Sequence, residues 1–415
     1  MRRQRWWLSH LLVLAFLVAA CGGGTGAGTT EVPGTADPGS DTTSGSSEPL
    51  VIGIAAGFTG ILESFDNPAA NGVELAVAEI NDAGGLLGRQ IEIVTADTQS
   101  DVNQGTRAGQ EVIQDGAEIM FVTPDYNFGG GAAREAQAAG IVAISMGAGS
   151  PRFGIEGIGD LAFTMGISGV TDGAVSAEWA YEDKGFRTAY LLLDDVTDYD
   201  KDQCRGFETR WLELGGEILG TDVFKNSDTS IAPQVTRINN LAEQPDIISL
   251  CSFPPGGAVA VKQLRDAGIT SAIVSNGAMD GDYWFRDTIP DLSDFYFLSS
   301  VSIWGNDPSP GVNAFTEAYG EEYGTSPENI FAYFGYAGVH AVAIAVERAG
   351  TTDGSAVAAE LEAFDKELVA GILVTFSDDL HIDVAREERI VAVMNGVHEV
   401  DGVRAVESSP PLFEE

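Results

Sequence analysis

The sequence predicts an α/β fold of two lobes, each built on a doubly wound parallel sheet. Short apolar runs alternate with longer helical periods along most of the chain, the pattern of parallel strands joined by crossover helices. This strand–helix unit recurs more often than one sheet needs. The length, 415 residues, exceeds one ordinary core and suits two or three domains.

The regular part begins after Pro49. "LVIGIAA" is a continuous apolar run, as expected of a strand buried on both faces. A glycine-punctuated loop, "GFTGILESFDN", follows. In "GVELAVAEINDAGGLLGRQIEIV", Val73, Ala76, Val77 and Ile80 fall at helical spacing and form one apolar stripe. Gly84-Gly85 end the helix, because glycine tolerates a left-handed cap. "QIEIVTAD" then alternates as a strand. The unit recurs in "TRAGQEVIQDGAEIMFVTP", "GGGAAREAQAAGIVAISM" and "GAVSAEWAYEDKGFRTAYLLLDD". It recurs again in "CRGFETRWLELGGEILGTDVF", "PQVTRINNLAEQPDIISLCS" and "GGAVAVKQLRDAGITSAIVSN". "SPGVNAFTEAYGEEYG" and "FAYFGYAGVHAVAIAVERAG" read as helices. "GILVTFSDD" and "ERIVAVMNGVHEV" read as closing strands, the second with an Asn395-Gly396 turn.

The N-terminus has a different character. Arg2, Arg3 and Arg5 precede the apolar stretch Leu11 to Ala20, which is too short to span a bilayer. Small residues then precede Cys21. Residues 1–20 are expected to be a secretory leader, outside the fold. Val18-Ala19-Ala20-Cys21 resembles a bacterial lipobox, in which the cysteine is lipidated and becomes the new N-terminus. An ordinary leader with a chance cysteine is the alternative. Residues 21–48 are rich in Gly, Ser, Thr, Pro and Asp and read as a flexible tether. Removing the three leader arginines takes the net charge from −40 to −43. That charge repels nucleic acid and anionic headgroups. It is spread over the whole chain, which favours a solvated acidic surface over an acidic site.

With Cys21 assigned to lipid, Cys204 and Cys251 form an even pair in an oxidising compartment. They are either bridged or two buried small hydrophobes. His340, His381 and His398 are widely spaced and form no metal-like pair. Gly53, Gly57 and Gly60 miss the dinucleotide-binding spacing. Asp198, Asp200 and Asp202 begin like a calcium loop, but Gln203 and Thr209 occupy the positions that need Gly and Glu. No P-loop or nucleophile elbow occurs. The expectation is therefore a non-enzyme with no cofactor and no metal.

What remains is the ends of the strands, where open α/β sheets bind ligands. The loops there are rich in glycine and aromatics: Phe58, Phe65, Tyr126, Phe128, Tyr199, Phe253, Tyr283 and Trp284. Glycine lets backbone N–H groups approach a ligand, and aromatic rings supply flat apolar walls. Together they predict a small-ligand cleft.

At these residues the chain resembles the type I periplasmic binding proteins of branched-chain amino acid ABC transporters. The resemblance runs from about Leu50 to Val400. It is strongest in "NGVELAVAEINDAGGLLGRQIEIVTADTQSDV", with "KQLRDAG", "FTEAYGEEYG" and "DDVTDYD" in support. It implies two similar lobes joined by three crossovers, placed near Ile167, Ser299 and Gly371. The first lobe is then 49–167 with 299–370, and the second 168–298 with 371–415. By position, the family's first-loop aromatic corresponds to Phe65, followed here by Asp66. Thr123-Pro124 stands for its Gly-Pro, and Asn127 for the serine that follows. Ala148 sits at a backbone contact, and Gly149 replaces the threonine that holds an α-carboxylate. Tyr199 matches one site tyrosine and Phe253 replaces another. The acid for the α-ammonium aligns to Gly277, with Asp280 close by.

The expected protein is a lipid-anchored, extracytoplasmic solute receptor of the Leu/Ile/Val-binding kind. It closes on an amino acid, amide or small carboxylate and delivers it to the permease subunits of an ABC importer. It acts as a monomer, by resemblance. The alternative is a ligand-sensing module of the same fold, coupled to a membrane receptor or regulator.

Overall fold

A computed structural model of the protein describes residues 48–413. The expected leader, the expected tether as far as residue 47 and the expected lipidation site Cys21 lie outside the described residues.

The first sheet is built from β1 (Leu50–Ala56), α1 (Glu63–Asp82), β2 (Ile91–Asp97), α2 (Val102–Gln114), β3 (Ile119–Val122), α3 (Tyr126–Ala139), β4 (Val142–Ser145) and β5 (Ala162–Thr164). Its five strands run in the order β2-β1-β3-β4-β5, all parallel. Successive side chains in a strand point to opposite faces. Ile119, Phe121, Val142 and Ile144 therefore pack on one face. Met120, Val122 and Ala143 pack on the other, with the small residues Ala108, Ala132, Ala133 and Ala136 of α2 and α3. Burial on both faces explains why these strands read as unbroken apolar runs.

The second sheet follows the same logic. Its elements are α4 (Gly169–Glu178), β6 (Thr188–Asp194), α5 (Asp198–Glu213), β7 (Glu217–Phe224), α6 (Ala232–Asn239), β8 (Ile247–Cys251), α7 (Gly256–Asp266), β9 (Ala272–Ser275) and β10 (Phe295–Ser299). Tyr190, Leu192, Ile248 and Leu250 face α6 and α7. Ala189, Leu191 and Ile247 face α4 and α5, with Trp179, Phe207 and Trp211. Cys204 in α5 and Cys251 at the end of β8 are joined by a disulfide, S–S 2.09 Å.

The chain then returns to the first lobe as α8 (Pro310–Tyr323), α9 (Phe331–Ala349), α10 (Gly354–Glu362) and the hairpin β11 (Glu367–Val369) with β12 (Ile372–Val374). It finishes in the second lobe with β13 (Glu388–Met394) and β14 (Val397–Arg404), antiparallel to each other. These complete a seven-stranded sheet, β14-β13-β10-β9-β8-β6-β7. The turn between them places Asn395 and Gly396 at φ 53° and 74°. Two successive left-handed residues are what a type I′ turn requires.

Sequence and structure differ in three places. The first helix begins at Glu63, not near Gly72, so the second part of the expected loop, from Glu63 to Asn67, is helical. It runs through Pro68, which has no N–H for the carbonyl of Ser64. Asn329 Nδ2 donates to that carbonyl instead, at 2.6 Å. Second, "GILVTFSDD" contributes β12 to a small hairpin rather than a strand to either main sheet. Third, the last passage between lobes does not fall at Gly371. Ile372, Val374 and Phe376 belong to the first lobe's core, and the chain crosses after Asp383. The resemblance placed the crossing near Gly371, but that glycine is the turn between β11 and β12.

The first and third passages run side by side. Thr164 N–H donates to His381 O at 3.1 Å and Ser168 N–H to Asp383 O at 3.0 Å. Arg386 ties in the second passage, donating from Nη1 to Met165 O at 3.0 Å and to Ser300 Oγ at 3.4 Å. Among the described residues, no helix is long and apolar enough to cross a membrane.

Each lobe also has a helix pair held at close range by two glycines. A Cβ at Gly72 of α1 would lie 1.8 Å from Ala332 O of α9, and one at Gly335 of α9 would lie 2.0 Å from Ala69 O. In the second lobe, Gly173 of α4 meets Gln203 O at 2.1 Å and Gly206 of α5 meets Val170 O at 2.2 Å by the same construction.

Candidate functional site: the cleft between the lobes

The carboxyl ends of the parallel strands of both sheets open on one cavity of about 70 Å³. That is room for several waters or one small solute. The first lobe contributes Leu62 and Phe65 from α1, Thr123 to Asp125 after β3, and Gly147 and Gly149 after β4. Ile330, Phe331 and Phe334, at the start of α9, add an apolar wall. The second lobe contributes Asp172, Thr197, Tyr199, Phe253, Gly277, Leu298 and Glu388. Phe65 meets Phe331 and Phe253 edge to face, with centroids 5.3 and 6.2 Å apart. One aromatic cluster therefore spans the two lobes.

Helix starts bring the polar groups. Asp125 caps α3, accepting from Phe128 N–H at 2.9 Å. Thr197 caps α5, accepting from Asp200 N–H at 3.2 Å. Tyr199 donates to Asp172 Oδ2 at 2.5 Å. Burial dominates the titration here. It pushes Asp125 up to about 6 against its backbone donors, and Asp172 to about 6. Glu388 rises well above the usual carboxyl range through burial and its neighbour Asp172. Behind the wall, burial takes Asp66 to about 8, although Gly57 N–H donates to it at 2.8 Å.

The lobes also bond to each other around the cavity. Arg152 pairs with Asp198 at 2.6 Å, and Ser150 Oγ donates to Asp202 at 3.1 Å. Asn127 Oδ1 accepts from Asp198 N–H at 2.9 Å. The acidic run first compared with a calcium loop is thus the start of α5, spent on lobe contacts. No metal-ligand cluster exists among the described residues.

Of the residues singled out from sequence, Phe65, Gly149, Tyr199 and Phe253 line the cavity. Gly149 is tied to Tyr199, since a Cβ there would lie 2.4 Å from the tyrosine ring. The others do not line it. Tyr126 turns away to Arg134, whose Nη2 donates to its hydroxyl at 3.0 Å. Phe128 packs at the edge of the first core. Asn127 makes the lobe contact above. Ala148 lies in the core, its N–H held by Ser145 Oγ at 2.9 Å. Asp280 is buried behind Gly277, its carboxyl taking Gly281 N–H at 2.6 Å. Tyr126, Asn127 and Phe128 miss because α3 starts at residue 126, and a helical turn sends successive side chains in different directions. Asp172, Glu388, Phe331 and Phe334 were not anticipated. They sit inside helices or a strand and carry no loop signal.

A family model described as "Periplasmic binding protein" matches residues 49–393. The chain belongs to the periplasmic binding protein family. This binding protein is 26% identical over 320 residues to the Leu/Ile/Val-binding protein BraC3 of Rhizobium johnstonii, covering 75% of this chain and 83% of that one. Its fold matches the substrate-binding protein LivJ of Streptococcus pneumoniae, solved with isoleucine, at TM-score 0.76 and 23% identity, over 88% of this chain and 100% of that one. It also matches a solute-binding protein from Rhodopseudomonas palustris, solved with 3,4-dihydroxybenzoic acid, at TM-score 0.74 and 20% identity, over 87% and 99% of the two chains. The family consists of binding proteins rather than enzymes.

The buried carboxyls make the stability of this binding protein pH-dependent. Asp66 keeps its proton up to about pH 8 when folded but only to about 3.8 when unfolded. The folded state binds that proton more tightly, so stability must fall as pH rises. The contribution of Asp66 is complete below about pH 4 and is lost through about pH 8. Urea unfolding should show the wild type losing more stability between pH 5 and pH 8 than Asp66→Asn does. Parallel pH profiles would rule this assignment out.

Proposed function

We propose that this protein is an extracytoplasmic receptor that captures one small molecule between its lobes and delivers it to an ABC importer. The observation that carries this reading is the cavity at the strand ends, walled by both lobes, with aromatic rings from each. A solute there touches both halves, so binding favours the closed arrangement. In this reading Phe65, Gly149, Tyr199 and Phe253 touch the solute. Tyr126, Asn127, Phe128, Ala148 and Asp280 act from behind the wall or at the lobe contact. Lipid on Cys21 and the following tether would hold the domain near a membrane without embedding it, in reach of permease subunits. The disulfide fits an oxidising compartment. The receptor acts as a monomer.

A thermal-shift screen over amino acids, amides and small carboxylates tests the reading. A solute at a hundred times its Kd should stabilise the protein by about 2.7 kcal/mol. Tyr199→Ala should abolish that shift while the variant still unfolds in one cooperative step. If the variant keeps its affinity, Tyr199 does not touch the solute. If no solute of any class shifts the melting temperature, the receptor reading fails.

A further inference from the structure

The family resemblance puts an ammonium-binding acid at Gly277, where this chain has no side chain. The cleft nevertheless contains a buried acidic pole elsewhere. Asp172, on α4, and Glu388, the first residue of β13, are 2% and 1% exposed, and both line the cavity. They come from segments far apart in sequence, and their carboxyls stand close enough to hydrogen-bond to one another when one of them is protonated. Tyr199 satisfies Asp172 Oδ2. Glu388 finds no N–H or O–H donor in any other side chain or backbone among the described residues. Its Oε1 is buried and unpartnered apart from the Asp172 carboxyl.

The surrounding charges do not neutralise this pair in full. Arg386 lies behind it and its charge acts on both carboxyls, but its Nε and Nη1 are directed to Leu373 O, Met165 O, Ser300 Oγ and Asp383, and its Nη2 makes no hydrogen bond to either acid. Tyr199 faces it from α5, with Asp200 beside that tyrosine, and Asp383 faces it from the crossover. No lysine, arginine or histidine lines the cavity. One arginine cannot compensate both carboxyls, and an uncompensated buried carboxylate costs several kcal/mol. The empty pair therefore holds a proton, and a solute bearing a cation would replace it. A solute whose head is a carboxylate would meet only like charge.

We propose that Asp172 and Glu388 together receive a positively charged nitrogen of the solute, so that the captured molecule is an amine or amino-bearing compound with an apolar body. This rests on the reading of the cleft as a solute site and selects within it. On binding, the ammonium N–H groups donate to the two carboxyls. The proton shared by the pair leaves to solvent, so the net charge of the filled site equals that of the empty one.

Matched probes test it: isoamylamine, isovalerate and isoamyl alcohol, then benzylamine, benzoate and benzyl alcohol, in titration calorimetry on the wild-type protein. An amine should bind at least roughly 10-fold more tightly than its alcohol or carboxylate, the discrimination a charged hydrogen bond supplies. Its heat, compared between phosphate and Tris buffers, should report release of about one proton. Glu388→Gln should weaken the amine roughly 10–100-fold and leave the alcohol unchanged. Asp172→Asn should act in the same direction, and circular dichroism checks that both variants are folded. The buffer comparison needs no variant. Binding of isovalerate or benzoate as tightly as the amines overturns the proposal and would direct attention to Arg386. So does unchanged amine affinity in Glu388→Gln, or no amine binding at all. If amides or carboxylates bind and amines do not, solute capture stands and this inference falls. If nothing binds, both fall.

Discussion

Gly72→Ala and Gly335→Ala should each destabilise the protein by about 3 kcal/mol, near the upper end of what overpacking costs. Neither residue is at a turn. Each is glycine because the backbone of the partner helix passes where a Cβ would stand, 1.8 Å from Ala332 O in one case and 2.0 Å from Ala69 O in the other. A backbone carbonyl cannot swing aside as a long side chain can, so the helices must separate. Separation opens the apolar seam beneath them, where Val73, Ala76 and Val339 pack. Once one alanine has forced the helices apart, the second meets less resistance. The double variant should therefore lose less than the sum of the two. Gly320→Ala is the control. Gly320 is a helical glycine with nothing within 4 Å of its would-be Cβ. There alanine should stabilise by up to about 1 kcal/mol, through helix propensity alone. Urea midpoints decide. If Gly72→Ala behaves like Gly320→Ala, the close crossing is not what holds these helices.

Replacing Cys204 and Cys251 together by alanine should cost about 4 kcal/mol. The bond closes a loop across a sequence separation of 47 residues, and removing it returns that loop's entropy to the unfolded chain. Both cysteines are buried, 6% and 0% exposed, so alanine leaves only small cavities and the entropy dominates. Equilibrium unfolding of the double variant, beside wild type with and without reductant, reads the effect. A midpoint equal to that of the oxidised wild type would mean the bond contributes nothing. The loss should leave solute affinity unchanged if the second lobe refolds normally, since neither cysteine lines the cavity.

The architecture was largely legible in the residues. Runs such as "LVIGIAA" are apolar at every position because both faces of their strand are covered. Helices such as "GVELAVAEIND" are striped because only one face is covered. Gly140 could be read as a helix stop, and its φ of 74° agrees. Element boundaries were less legible. Glu63 to Asn67 begins α1 although Pro68 follows, because Asn329, far along the chain, satisfies the carbonyl that the proline leaves open. Nothing local announces that. The hairpin of β11 and β12 was missed for a similar reason. Its strands are three residues each, too short for alternation to show.

The cleft was half legible. Phe65, Tyr199 and Phe253 were found because strand ends in such sheets face one crevice, and an aromatic there has few other uses. Tyr126 and Phe128 satisfy the same rule and turn elsewhere. Asp172 and Glu388 broke it in the other direction, because a carboxyl inside a helix and another at the start of a strand look like ordinary solvated acids.

The sequence by itself determined the class of fold, the alternation of strand and helix, and the family. The first two depend on local periodicity, which a strand or helix imposes on its own residues; the family depends on the resemblance carried by stretches such as "NGVELAVAEINDAGGLLGRQIEIV". Only the tertiary structure decided where the chain makes its last crossing, that Gly72 and Gly335 meet across a helix pair, and that Asp172 and Glu388 come together, buried, at the cleft. Each of these depends on groups brought together from distant segments, and their chemistry changes only when water is removed from between them.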